Sequence, residues 1–155
     1  MKFNIREDIE APIDFVFEQV TDFKTMERAA MRRGAEVQRV DKMSGKGEGM
    51  MWDAAFELRG KTREIEMELT EYDPPNGLVM SSRSTGLGGK LVVELVALSK
   101  TRTRVTLNLD LEPKNLAAKL LVQSLKLARK SIMSRMNERM IAYSNEIERR
   151  YKQTA

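Results

Sequence analysis

From Pro113 to Tyr151 the chain has no glycine and no proline after Pro113 itself, and its apolar residues return at steps of three and four. Leu121, Leu125, Ala128, Ile132, Met136, Met140, Tyr143 and Ile147 mark that rhythm. The spacing keeps one apolar face turning with an α-helix, so it predicts a single long terminal helix that must bury that face against something else. With 155 residues, 41% of them hydrophobic, the chain is long enough for one domain to supply the partner surface. The expected domain therefore spans residues 1–155.

The upstream residues read as that partner. Lys2–Ile9 alternates roughly and stops at Ala11-Pro12, which predicts a strand. Pro12 suits a first helical turn, where a missing N–H costs nothing. Ile13, Val16, Phe17 and Val20 then recur at helical spacing, and a second short helix is expected over Lys24–Met31, closed by Gly34. Beyond Ala35 the period becomes two. Val37 and Val40 open a strand, and the glycines of Met43–Gly49 turn the chain into Met50–Leu58, where Met50, Trp52, Ala54, Phe56 and Leu58 share one face. After Gly60-Lys61, Ile65, Met67 and Leu69 alternate with Glu64, Glu66 and Glu68, and Asp73-Pro74-Pro75-Asn76-Gly77 is a strong turn. Leu78–Thr85, Lys90–Ser99 and Thr103–Leu111 complete the strands, with Gly86–Gly89 read as a turn. Short turns between successive strands require antiparallel hairpins, since parallel neighbours need long crossovers. The sum is an α+β chain in which one strand, two short helices, six antiparallel strands and a long helix form a single core.

Composition narrows the chemistry. There is no cysteine and no histidine, which removes disulfides, thiol nucleophiles, Cys/His zinc sites and every imidazole base. No metal site, cofactor site or catalytic motif stands out, and any catalysis would fall to carboxylates, Lys, Tyr or Ser/Thr. The glycines of Ser44–Gly49 are not a phosphate cradle, because a strand and not a helix follows them. The net charge of +4 is that of a solvated surface with a small basic surplus, so no nucleic-acid partner is expected. Charges interrupt Met1–Glu10 early and no apolar run is long enough to span a bilayer, so a cytoplasmic protein is expected.

Several stretches, taken in order, resemble the helix-grip superfamily of polyketide cyclase/dehydrase-like proteins, START lipid-transfer domains and Bet v 1 allergens. They are Ile9–Phe17 with Thr21-Asp22-Phe23, then Gly47-Glu48-Gly49, Tyr72-Asp73-Pro74-Pro75, and Thr101–Thr106. The resemblance covers nearly the whole chain. It implies a strongly curved seven-stranded antiparallel sheet wrapped around the C-terminal helix, two short helices after the first strand, and a cavity between sheet and helix. It also implies an apolar or amphipathic guest such as a lipid, quinone, polyketide or aromatic metabolite. A cyclase- or dehydratase-type reaction in the same cavity is the alternative, for which the residues offer only Arg83, Tyr72, Tyr143 and carboxylates.

Candidate lining residues are Met26, Trp52, Phe56, Met67, Met80, Arg83, Leu121, Leu125 and Met136. Eleven methionines give an adaptable, polarisable apolar surface. The strand holding Arg83 does not declare its inner face: Leu78, Met80, Ser82 and Ser84 form one set, Val79, Ser81, Arg83 and Thr85 the other. Lys119, Lys126 and Lys130 form a basic stripe opposite the helix's core face, which would suit an anionic membrane surface.

Overall fold

The computed structural model describes residues 1–154. Strand β1 (Lys2–Ile9) is followed by helices α1 (Ile13–Val20) and α2 (Phe23–Arg32), and then by strands β2 (Glu36–Arg39), β3 (Met51–Leu58), β4 (Lys61–Asp73), β5 (Gly77–Ser84), β6 (Leu87–Ser99) and β7 (Arg102–Pro113). Helices α3 (Leu116–Leu127) and α4 (Arg129–Thr154) end the chain. All seven strands join one antiparallel sheet in the order β1-β7-β6-β5-β4-β3-β2. Thus β2 to β7 form a meander of hairpins, and the first strand adds to the last, from Lys2 opposite Asp110 to Ile9 opposite Thr103. This is the helix-grip fold that the order of elements implied.

Local chemistry explains the element ends. Pro12 opens α1, Asp22 caps α2 by accepting from the Thr25 N–H at 3.3 Å, and Asn115 caps α3 by accepting from the Ala118 N–H at 2.8 Å. Arg59 and Gly60 both take positive φ, 55° and 74°, which gives the β3–β4 hairpin the two-residue turn whose twist matches its strands. Irregular register at Leu69/Glu71 and at Ala97/Ser99 bends the long strands.

Two expectations need correction. The terminal helix is broken at Ala128, whose φ of −97° and ψ of 9° leave the helical region, and its N–H donates to the carbonyl of Leu125 at 3.1 Å. The break lets two segments follow different parts of a curved sheet: α3 lies against β7, and α4 runs beside β1 and α1. No proline or glycine marks it. Second, Gly88 and Gly89 belong to β6 and not to a turn, since the ladder continues through Arg83–Gly88 and Ser84–Leu87.

The continuous core joins Ile9, Val16, Phe17, Met50, Trp52, Leu69, Leu78, Val93, Leu95 and Val105 to Met140 and Ile147 of α4. Two buried hydroxyls beside it are paired: Thr103 donates to the Ala11 carbonyl and Thr21 to that of Phe17, each at 2.8 Å. The first bond ties the entry of α1 to β7, and the second closes the last turn of α1 on itself.

Candidate functional site

Cross-strand register sorts the helix-bearing face of the sheet into rows. One row runs Phe3, Leu109, Leu91, Met80, Leu69, and the next runs Leu111, Gly89, Ser82, Met67, Trp52. Along β6 and β7 burial falls from one end of this face to the other, while Phe3, Leu69 and Trp52 stay buried. Val105 and Leu95 are buried, and so is Ile147 of α4. By contrast Leu91, Leu109, Leu111, Met80, Met67, Ile65 and Phe56 are only half-buried, as are Met133 and Met136 of α4. Several of these side chains pack against the core, and together they leave a partly solvent-accessible apolar surface on the inner face of the sheet.

The lowest part of that surface is built from small residues. Gly89 sits opposite Ser82, and a β-carbon placed on Gly89 would come 2.4 Å from the Ser82 Oγ and 3.6 Å from the Leu111 Cδ2. Glycine is favoured here because a side chain would have to displace the serine hydroxyl from the space it occupies. Ser82 thereby offers one polar group on a floor otherwise formed by Met67, Met80, Leu91 and Leu111.

The expected lining residues fall in several places. Met67, Met80, Phe56 and Met136 are among the half-buried set. Trp52 is buried, tilted against Phe23 at 5.3 Å between ring centres, and its indole N–H donates to the Glu27 carboxylate at 2.7 Å. It thus ties β3 to α2. Met26 lies exposed on α2, while Leu121 and Leu125 are buried under α3.

Arg83 is the correction. Its side chain is 61% exposed, and it reaches Glu66 at 3.6 Å and Glu68 at 3.8 Å on the outward face. Those glutamates come from the neighbouring strand of the same register, and a solvated cation opposite two carboxylates needs no desolvation. The set that faces the helices is Leu78, Met80, Ser82 and Ser84. An open hollow of about 800 Å³ also lies over this part of the sheet, but Glu36, Gln38, Asp53, Glu64, Glu66 and Arg83 rim it, so its character is polar.

The two tyrosines available to a reaction both pack against the core. The Tyr143 hydroxyl donates to the Gln19 carbonyl at 3.0 Å, and burial pushes its pKa up to about 12, so it stays a neutral clamp between α4 and α1. Tyr72 packs on Phe17 with ring centres 5.5 Å apart. Asp41 organises the β2–β3 loop: it accepts from the Arg39 guanidinium at 2.8 Å, from the Met51 N–H at 2.9 Å and from the Met43 N–H at 2.9 Å, and the arginine chiefly holds its carboxyl far below the usual range. Among the described residues no cluster of three or more acidic side chains is arranged to hold a metal ion, and no helix is long and apolar enough to cross a membrane.

Ser82, Gly89, Leu91, Leu109 and Leu111 were not expected at the site. The alternation of Leu95, Val93 and Leu91 continues backwards to Gly89, so it marks Leu91 and Gly89, although a run of glycines reads locally as a turn.

Comparison with known proteins agrees with the fold. The family model described as polyketide cyclase / dehydrase and lipid transport matches residues 1–152. Among solved structures, the chain is similar to an aromatase/cyclase from Streptomyces sp. R1128, with a TM-score of 0.67 and 15% identity over 97% of this chain and 94% of that one. It is similar to a protein of unknown function from Staphylococcus aureus, with a TM-score of 0.64 and 16% identity over 99% and 97%. It also resembles Ara h 8.0201, with a TM-score of 0.60 and 12% identity over 95% and 97%. No curated protein matches the chain significantly.

Proposed function

Because the chain belongs to the polyketide cyclase / dehydrase and lipid transport family, we propose that it binds an apolar or amphipathic small molecule between the sheet and the terminal helices, as a carrier or sensor. The observation that carries this reading is the burial gradient on the helix-bearing face. Where α1 and the second half of α4 lie, the side chains are closed to solvent, whereas around Met67, Met80, Leu91, Leu109 and Leu111 they are not. A guest seated on the second region would remove apolar surface from water, at about 25 cal/mol per Å². Ser82 would supply the polar contact that fixes its orientation. Lipids, quinones, polyketides and aromatic metabolites share the required chemistry.

The family description includes cyclases, so a reaction in the same space is the second reading. Arg83 faces outward and the Tyr143 hydroxyl is bonded to the Gln19 carbonyl, which favours binding over proton transfer by these two groups.

Native mass spectrometry of freshly purified protein, together with titration by the neutral dye N-phenyl-1-naphthylamine, tests the proposal. A retained apolar mass, or saturable dye binding that Ser82→Phe abolishes, is the expected result. Dye binding that is absent, or unchanged in Ser82→Phe, would overturn it.

A further inference from the structure

Helix α3 is apolar on two opposite sides. Its buried side chains are Ala118, Leu121, Val122 and Leu125. Yet Leu116, Leu120 and Leu127 are exposed by 73%, 64% and 92%. At 3.6 residues per turn these three leucines fall within an arc of about 40°, roughly half a turn from Leu121 and Leu125. The face expected to carry a basic stripe therefore also carries a row of leucines, with Lys119 and Lys126 along one flank.

The charge around this row is one-sided. Between Pro113 and Asn137 lie Lys114, Lys119, Lys126, Arg129, Lys130 and Arg135, and no acid. Six of the chain's 27 Lys and Arg thus fall there with none of its 23 Asp and Glu, so the remaining residues carry two more acids than bases. The excess positive charge of the protein is concentrated on the segment that exposes the leucines.

We propose that α3 docks the protein onto anionic lipid bilayers, its outer leucines entering the acyl boundary while the flanking lysines meet headgroup phosphates. Charge selects this occupant over the alternatives. A second copy would bring two basic faces together, whereas an anionic bilayer supplies both an apolar interior and countercharge to one amphipathic helix. The attachment of α3 suits the role: its buried side chains lie outside the continuous core, and the break at Ala128 separates it from α4. Docking does not require an occupied interior, so it stands or falls apart from the binding proposal.

Co-sedimentation with vesicles of phosphatidylcholine containing roughly one third phosphatidylglycerol, against phosphatidylcholine alone, tests the inference without any guest. The protein is expected to bind the anionic vesicles, to release as salt rises, and to lose about fivefold in affinity for each of Lys119→Gln, Lys126→Gln and Lys130→Gln. Leu116→Ser/Leu120→Ser/Leu127→Ser is expected to abolish binding with no change in circular dichroism. Should the triple variant misfold, Leu127→Ser alone, at the most exposed position, is expected to weaken binding at least fivefold. Failure to bind anionic vesicles, or equal and salt-insensitive binding to both kinds, overturns the proposal. So does a dimer in sedimentation velocity that dissociates on Leu127→Ser, since the second copy would then be the occupant.

Discussion

The pairing of Gly89 with Ser82 makes a quantitative test of the floor of the apolar face. A Gly→Ala change in a strand normally stabilises by about 0.4–1 kcal/mol where the backbone tolerates it, because the unfolded chain loses freedom. At Gly89 the new β-carbon would stand 2.4 Å from the Ser82 Oγ. Relief requires either a serine rotated from its well, about 0.5–1.5 kcal/mol, or a small backbone shift, about 1–3 kcal/mol. Gly89→Ala alone is therefore expected to destabilise by about 1 kcal/mol. In a Ser82→Ala background the nearest remaining atoms are the Leu111 Cδ2 at 3.6 Å and the residue 82 Cβ at 3.7 Å, both ordinary contacts. There the same change is expected to be neutral or mildly stabilising. Urea unfolding of the four proteins gives the coupling directly, expected at about 1–2 kcal/mol. A coupling below about 0.5 kcal/mol, the level of additive distant sites, would mean that the two residues do not face each other, and the floor would have to be redrawn.

Other outcomes follow from the same geometry. Since the chain has no cysteine, Ser82→Cys creates a unique thiol, and an apolar guest or dye is expected to slow its reaction with a maleimide; equal rates with and without guest would remove Ser82 from the site. Ile147→Ala, at a position with no exposure, is expected to cost about 2–5 kcal/mol in urea unfolding, whereas Met136→Ala at a half-buried position is expected to cost less and to enlarge dye capacity. Of three tyrosines, one is expected to ionise near pH 12 by absorbance at 295 nm, and that late step is expected to vanish in Tyr143→Phe. As the folded pKa lies above the ordinary 10, the contribution of Tyr143 to stability is complete below pH 10 and is lost as pH rises from 10 towards 12. Asp41 has the opposite sign: its folded pKa is depressed, so its hold on the β2–β3 loop is complete above its ordinary value of 3.8 and is lost as pH falls below it. Hydrogen exchange at Met43 and Met51, followed on acidification, checks this, and Asp41→Asn is expected to show fast exchange at neutral pH.

The sheet was legible because alternation and turn chemistry agreed along β3, β4 and β7, most plainly in β4, where Ile65, Met67 and Leu69 alternate with three glutamates. Two features escaped for definite reasons. In β5 both faces hold small polar residues, so nothing local decides whether Arg83 or Ser82 faces the helices; only the glutamates at 66 and 68, adjacent through register, settle it. At Ala128 no residue resists helix, and the break arises because α3 and α4 rest on different strands of a curved surface. Long-range geometry of that kind leaves no trace in periodicity.

The same break bears on how the two proposed surfaces relate. A straight helix presenting Leu121 and Leu125 inwards would hold its outer face at an angle fixed by α4, whose own anchors at Met140, Ser144 and Ile147 are buried. With Ala128 outside the helical region, α3 keeps its own pairing to β7 and its own cap at Asn115, next to the β5–β6 turn where Lys114 donates to the Gly86 carbonyl at 2.6 Å. The leucines that face water and those that face the sheet are therefore on one short, separately capped segment, tied to the less buried side of the protein. Any force a bilayer exerts on Leu116, Leu120 and Leu127 passes straight to Leu121 and Leu125, and α4 with its fully packed anchors has no need to move.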